Sequence, residues 1–200
     1  MDSTHYNPRP CLTKDCEQPA LTGAEKCWDH LTDQKGFVDG LNPAQLADTW
    51  LVGIDASGRD WSGANLENAR LSGANLSGTN LSGSTCTRCF LDGANLTGSN
   101  FSGAEMEFAV LGQADMSNAD FSNANMIRSN LVGTKGHGTN LDGAKLYYSR
   151  PGCADFTGAT FRGAEITRTI FRRAILRDTD MTGAEGQANF DRADMEGVKQ

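Results

Sequence analysis

A five-residue alternation of apolar and polar positions runs from Leu66 to Met181. An apolar residue occupies every fifth position, and only Cys86, Gly136 and Pro151 break the pattern among the 24 positions of this span. A small residue lies two positions before each of the 24. Neither the 3.6-residue helix nor the two-residue strand has this period. The pattern therefore predicts a square coil, in which each five-residue side points its central apolar residue and its small residue inward and four sides close a turn of 20 residues.

The three remaining positions of each side are Asn or Asp, then Ser, Thr or Asp, then Gly, as in SGANL, DGANL and TGATF. These residues suit solvent-facing turns. From about Ala64 to Met195 the chain resembles the pentapeptide-repeat family, whose pattern is A-(D/N)-L-x-x. The resemblance implies an all-β solenoid, a right-handed quadrilateral β-helix of about six coils with a small N-terminal metal-binding and helical cap. We expect a Cys/His segment at 1–40, a capping helix and irregular coil at 41–63, and the β-helix at 64–200.

Stacked coils place residues 20 apart above one another, separated by about 4.8 Å, so six coils form a rod roughly 29 Å long. This stacking predicts a continuous inner column of apolar residues: Leu81, Phe101, Phe121, Leu141, Phe161 and Met181. Because each coil of a solenoid buries its surface only against neighbouring coils, both ends need a cover.

The two ends differ in their sequence signals. Asn42-Pro43 is typical of a helix start, which predicts a short helix over 44–50, with Leu46, Trp50, Leu51 and Trp61 covering the first coil. At the other end the period slips by one residue, passing from Met181 to Gly186 and resuming at Phe190 and Met195. The last coil is then either covered by a second subunit, giving an end-to-end homodimer, or left open.

A candidate metal site precedes the repeats. Residues 11–30 contain Cys11, Cys16, Cys27 and His30 with the spacing C-x4-C-x10-C-x2-H. Three thiolates and one imidazole complete a tetrahedral zinc shell, and four protein ligands leave no position for a catalytic water. The hypothesis is structural Zn²⁺; the alternative is a flexible arm with reduced surface cysteines.

Two of the other cysteines, Cys86 and Cys89, form a CxxC motif that is typical of redox pairs. In the repeat frame, however, Cys86 is a central residue and Cys89 a small inward residue, so we expect both to fill the core. Cys153 falls on an outward turn position, where we expect an exposed thiol.

One face of the coil departs from the consensus. On three faces, 12 of 18 third-position turn residues are Gly, whereas the fourth has none in six. We call the sides 66–70, 86–90, 106–110, 126–130, 146–150 and 166–170 the Arg/aromatic face. Its third positions and their neighbours supply a candidate partner-binding set: Arg88, Phe90, Phe108, Arg128, Tyr147, Tyr148, Arg150 and Arg168.

Three interpretations of this face remain open. The stacked side chains stiffen the rod through cation–π contacts, bind a protein through residue types typical of interface hot spots, or form a nucleic-acid platform. The last fits poorly with a formal net charge of −7.

Two irregular sides are candidates for a site of their own. Gly136, beside His137, predicts a ligand notch or merely a local dent, and Pro151 lacks a backbone donor and should distort its side. No base, nucleophile and orienting residue fall together, so we expect no enzymatic activity.

Overall, the sequence predicts a cytoplasmic protein, because Met1–Pro10 contains no apolar signal region, with no membrane span. We expect a non-enzymatic protein-binding scaffold. The alternative, implied by the resemblance, is a DNA-mimicking modulator of DNA gyrase or another type II topoisomerase that protects against quinolones or toxins. Against it, residues 51–200 carry 17 acidic and 14 basic residues, far from the dominant negative charge of DNA, and the projecting loops and long dimerising extension of such proteins are missing.

Overall fold

The repeats form a four-sided β-helix. A computed structural model describes residues 8–200. Parallel pairing occurs at single residues 20 positions apart, from Trp50 with Arg70 to Glu165 with Glu185. Residues 46–185 therefore make seven coils of 20 residues, one more than the repeats from Leu66 indicated. The additional coil, 46–65, has the same geometry although its central residues include Ala56 and Trp61.

Backbone hydrogen bonds between coils explain why Asn or Asp recurs one position before the central residue. The N–H of Leu71 donates to the carbonyl of Phe90 at 2.7 Å in the next coil, and the N–H of Asn75 donates to that of Ile54 at 2.8 Å in the preceding coil. The N–H that follows a central residue has no such partner, and a side chain supplies it: Ser77 N–H donates to Asn75 Oδ1 at 3.2 Å. The recurring Asn or Asp thus accepts a hydrogen bond from a backbone N–H that has no partner in a neighbouring coil.

The core is a filled interior of stacked central residues, as predicted. All six residues of the expected inner column are at most 5% exposed. Phe101 stacks on Phe121 with ring centroids 4.9 Å apart, and Phe171 stacks on Phe190 at 5.2 Å. Small residues occupy the second inward position because large central side chains already fill the space.

The two irregular sides keep the shape of the coil. Gly136 makes neither a notch nor a dent, because the ring of Phe156 occupies the space above it: a Cβ at Gly136 would lie 2.4 Å from Phe156 Cδ1. At Pro151 the distortion is limited to one missing pairing. Arg150 pairs with Asn130 but not with Ile170, because Pro has no N–H to donate.

The register slip near the C-terminus is confirmed. Pairing changes from 20 residues apart to 19, with Ile170 opposite Asn189 and Asp180 opposite Lys199. A four-residue side, 186–189, causes the change. Gly186 makes it possible, since its φ is +102° and a Cβ there would lie 2.1 Å from Thr167 Oγ1.

The N-terminal segment contains a 3₁₀ helix at Trp28–His30, an α-helix, α1, at Gln34–Asp39, and a second 3₁₀ helix at Pro43–Gln45. The Asn42 side chain caps the last of these, as predicted. The helix predicted over 44–50 is wrong beyond Gln45, because the N–H of Asp48 already donates to the carbonyl of Glu67 in the next coil. Within residues 8–200, no helix has the length and apolar character needed to cross a membrane.

The remaining cysteines lie where the repeat frame places them, but the expectation that Cys86 and Cys89 do no more than fill the core is wrong. Cys86 and Cys89 are fully buried, and they form a disulfide. Their positions explain it, since the central and the small residue of one side both point inward and their Cα atoms lie 5.1 Å apart. Cys153 is exposed and unbonded.

Candidate metal centre and Arg/aromatic face

The structure brings the four predicted metal ligands together. The ligand atoms of Cys11, Cys16, Cys27 and His30 all lie within 4.8 Å of one another. His30 Nδ1 is 3.2 Å from Cys27 Sγ and 3.6 Å from Cys11 Sγ, and the thiols of Cys16 and Cys27 are 3.9 Å apart. The four residues can bind a metal ion.

Short local elements place these ligands. An antiparallel bridge joins Pro10 to Pro19, and Cys11 N–H donates to the carbonyl of Gln18 at 3.0 Å. This closes the loop that carries Cys16. The 3₁₀ helix Trp28–His30 turns the imidazole back toward Cys27, three residues earlier.

Two thiols of the group have shifted pKa values. Burial raises the pKa of Cys11, but hydrogen bonds with the backbone of Cys27 and Thr13 outweigh that effect and lower it to about 5. Burial raises the pKa of Cys27. The lowered pKa of Cys11 favours the thiolate, which is the form that binds metal ions.

Three of the six separations between ligand atoms are close to those of a tetrahedral ion, and all six are within 4.8 Å. With metal–sulfur bonds of about 2.3 Å and metal–nitrogen bonds of about 2.0 Å, tetrahedral geometry separates ligand atoms by about 3.5–3.8 Å. The three separations given above, 3.2 to 3.9 Å, scatter around that range.

The ligand segment is attached to the first coil. Thr22 N–H donates to the carbonyl of Trp50 at 2.9 Å, and Trp50 N–H donates to Thr22 Oγ1 at 2.7 Å. Leu21 and Val38 are buried in the same apolar cluster as Leu46. The segment therefore covers the N-terminal end of the β-helix.

On the Arg/aromatic face, arginines and rings alternate in one continuous column. Phe108 lies between the guanidinium carbons of Arg88 and Arg128, at 5.6 and 5.4 Å from its ring centroid. Tyr148 lies between Arg128 and Arg168, at 5.9 and 5.1 Å. Arg168 also donates a hydrogen bond to the hydroxyl of Tyr148. Five of the eight predicted contact residues thus form this column.

The other three lie beside the column. Tyr147 packs edge-on against Tyr148, with centroids 4.4 Å apart. Phe90 belongs to a second, shorter stack, since the guanidinium of Arg70 lies 4.2 Å from its ring and 5.0 Å from that of Trp50. Arg150 is exposed on the same face, three coils from Phe90. Trp50 was not predicted to lie here, although the 20-residue interval to Arg70 indicates it.

Every third-position residue of the Arg/aromatic face has a left-handed backbone. Its φ is 55–59° from Asn68 to Arg168, including Phe108 at 59° and Tyr148 at 58°. The conformation is the same as that of the glycines on the other faces, but bulky side chains adopt it only at a cost.

The arginines of the other faces have different neighbours. Arg59, Arg162, Arg172 and Arg177 each form an ion pair with an Asp. Within residues 8–200 no ion pair involves Arg88, Arg128 or Arg168, which contact aromatic side chains instead.

Comparisons with known proteins identify the repeat and the fold. Eight copies of the family model described as pentapeptide repeats match residues 51–85, 79–118, 114–148 and 153–185. Among solved structures, HetL from the cyanobacterium Nostoc, involved in heterocyst differentiation regulation, is 24% identical, with 74% of this chain and 88% of HetL covered and a TM-score of 0.35.

Two further solved structures are similar to this chain. QnrB1, a plasmid-mediated fluoroquinolone resistance protein, is 23% identical, with 80% of this chain and 87% of QnrB1 covered and a TM-score of 0.44. Rfr23 from the cyanobacterium Cyanothece is 21% identical, with 75% and 86% covered and a TM-score of 0.20. A comparison with curated proteins gives no significant match. With TM-scores below 0.5, these solved structures add no argument to the family match.

Proposed function

The chain belongs to the pentapeptide-repeat family, and we propose that it is a non-enzymatic scaffold that binds a protein partner through its Arg/aromatic face. The set for this contact is the column Arg88, Phe108, Arg128, Tyr148 and Arg168, with Phe90, Tyr147 and Arg150 beside it. Tyr, Phe and Arg are enriched where protein interfaces gain most of their energy.

One observation carries this proposal: five bulky residues occupy left-handed turn positions on one face, where the other faces mostly use glycine. An exposed cation–π contact contributes about 0.5–1 kcal/mol, whereas a side chain in the left-handed region costs roughly 1–2 kcal/mol. The contacts offset the backbone cost and leave little net gain. Stiffening of the rod therefore does not explain the column, and recognition of a partner does.

A native pull-down tests the binding face. Replacing Arg128→Ser together with Tyr148→Ser interrupts the column at two adjacent coils, and we expect the protein to lose a partner that the wild type retains. The control is Gln113→Ser with Cys153→Ser, since both residues occupy the equivalent left-handed position on the neighbouring face. The same partners from all three proteins, with unchanged circular dichroism, would remove the proposal.

We propose structural Zn²⁺ as the metal of the Cys3His group. Cys11, Cys16, Cys27 and His30 would hold the ion, which supplies cross-links that join the loop of Cys16 to the 3₁₀ helix of His30. The four residues themselves fill a tetrahedral shell, so the chain's own groups perform no chemistry there beyond positioning the cap.

Elemental analysis of the purified chain tests the metal. We expect about one zinc per chain, lost in Cys11→Ser because three ligands hold the ion much more weakly. Cys153→Ser, which removes an exposed thiol far from the group, should retain the metal. Equal zinc content in the two variants would contradict the assignment.

The alternative of a topoisomerase modulator that imitates DNA is not supported by the charges. Residues 51–200 have 17 acidic and 14 basic residues, and one of the four faces is positively charged. A duplex mimic needs a dominant negative potential along its length.

A further inference from the structure

We infer that the partner presents an extended acidic segment, in a polyproline II conformation, to the arginines of the column. The inference rests on the proposed function, because it names the class of partner for the same face. Three observations carry it: the charge of the face, the occupation of the ring surfaces, and the spacing of the arginines.

Positive charge is concentrated on the Arg/aromatic face of an acidic chain. Its six sides contain five arginines and two glutamates, Glu67 and Glu107, for a formal charge of +3. The whole chain has a charge of −7, so the rest of it carries −10. Such segregation favours a partner of negative charge at this face alone and disfavours it elsewhere.

Arg88 and Arg128 of the column keep their donors available, and Arg168 donates to the hydroxyl of Tyr148. A guanidinium has five N–H donors in a planar fork that suits carboxylates. On other faces aspartates occupy donors of several arginines, as Asp180 does for Arg162 at 2.9 Å. Arg88 and Arg128 instead face ring surfaces, which orient the fork without consuming its hydrogen bonds.

The aromatic rings are not available for stacking. Phe108 has a guanidinium on each side, and so has Tyr148. A platform for single-stranded nucleic acid needs free ring faces on which bases stack. The arginine donors are therefore the recognition groups, and a protein segment with carboxylates fits them better than nucleobases do.

The spacing of the arginines selects the conformation. Arg88, Arg128 and Arg168 recur every second coil, about 9.6 Å apart for coils separated by about 4.8 Å. A polyproline II segment rises about 3.1 Å per residue with three residues per turn, so every third side chain points the same way at about 9.3 Å. In a β-strand, same-face residues lie about 6.7 or 13 Å apart, which matches neither adjacent pair of these arginines.

Binding of a fluorescent peptide tests the inference on the full chain. The probe is five repeats of Glu-Pro-Pro, and the matched peptide replaces each Glu with Gln. We expect the acidic peptide to bind and the Gln peptide not to, with binding weakened when salt rises from about 50 to about 200 mM. No binding of the acidic peptide at low salt would overturn the inference.

A pair of variants with the same charge change locates the site. Arg88→Gln/Arg128→Gln/Arg168→Gln should weaken peptide binding at least about tenfold, since three charge-assisted contacts are lost. Arg162→Gln/Arg172→Gln/Arg177→Gln removes three arginines of other faces and should change it less than about twofold. Equal losses in both variants would show that only net charge matters and would refute the site.

Two further probes test the class and the geometry of the partner. A peptide with five consecutive Glu followed by ten Pro has the same composition without the spacing, and tighter binding of it would overturn the extended match. Preferential binding of a 15-nucleotide oligouridylate would assign the face to nucleic acid instead.

Pull-downs with two variants separate this inference from the proposed function. If Phe108→Ser/Tyr148→Ser loses the native partner and the arginine triple variant retains it, the face binds a partner through its rings, and only the acidic-segment inference fails. If neither variant loses the partner, both proposals fail. Loss in the arginine variant supports both.

Discussion

A small residue at a central position does not disrupt the coil when a side chain of the neighbouring coil fills its space. Gly136 stands at a central position that is otherwise large, and the structure compensates by placing the Phe156 ring of the next coil into the vacated space. The combined side-chain volume of the two stacked positions is thus maintained although the volume at one of them is small, because a filled core is closely packed.

We predict that Gly136→Ala destabilises the protein by about 1–3 kcal/mol, because the new methyl group overlaps the Phe156 ring. Phe156→Leu in the same chain should recover part of this loss. Gly112→Ala is the control, since its Cβ would meet its nearest neighbour at an ordinary 3.6 Å, and we expect a change within about 0.5 kcal/mol. Urea unfolding followed by circular dichroism measures all three; similar effects of the two Gly substitutions would contradict the packing argument.

The pH dependence of stability is also a property of single side chains. The hydroxyl and N–H of Thr182, with the Arg162 guanidinium, lower the pKa of Asp180 from 3.8 to about 2. A carboxyl with a lowered pKa in the folded state stabilises it fully above the unfolded value and loses that effect as the pH falls toward the folded value.

We therefore predict that the free energy of unfolding decreases between about pH 4 and about pH 2, and that Asp180→Asn makes this decrease shallower. Urea titrations at half-unit pH intervals give the slopes, and equal slopes for wild type and Asp180→Asn would exclude this contribution.

At the scale of the element, a side of the coil can lose one backbone hydrogen bond to the next coil and keep the others. Pro151 removes one pairing and leaves Cys153 N–H bonded to the Arg172 carbonyl at 3.0 Å. The four-residue side 186–189 shifts the register by one, and the following sides pair as before. Solenoids keep such faults local because each coil contacts only its neighbours.

The N-terminal elements do not belong to the repeats, and individual contacts attach them to the first coil. Helix α1 is held to the first coil by the ion pair of Asp39 with Arg59, and Gly36 N–H donates to its capping residue Asp33 at 2.8 Å. The predicted helix at 44–50 gives way to coil because Asp48 N–H donates to the Glu67 carbonyl at 2.8 Å. Tertiary hydrogen bonds thus decide the boundary between cap and β-helix.

On the scale of the whole molecule, the two ends of the rod are unequal. The N-terminal end is covered by the Cys/His segment, whereas the partial coil 186–200 has only partly buried inward residues, including Phe190, Met195 and Val198. Within the described residues, the outer edge of this partial coil has unpaired backbone groups, and such edges associate with other chains.

We predict an end-to-end homodimer through this last coil. Sedimentation equilibrium should give twice the 21.4 kDa mass of the chain, and Phe190→Ser with Met195→Ser should give the mass of one chain by removing the apolar contact. Thr13→Ser with Thr22→Ser, at the opposite end, is the control. A single-chain mass for the wild type at micromolar concentration would eliminate the dimer.

Much of this molecule is determined by its sequence alone. The five-residue period sets the coil, the inward positions and the common face of the arginines and rings, because stacking at a fixed interval of 20 residues turns spacing along the chain into position in space. The slip after Met181 is visible in the same five-residue period. The grouping of the four metal ligands follows from a different spacing, C-x4-C-x10-C-x2-H, at residues 11–30.

Only the tertiary structure decided what depends on side-chain conformation and on contacts between coils. It showed Phe156 over Gly136, the bond between Cys86 and Cys89, the start of the β-helix at Leu46, and rings sandwiched between guanidinium groups. The physical reason is that a repeat pattern specifies the backbone position of each residue but not which side chains it contacts. Those contacts depend on packing between coils.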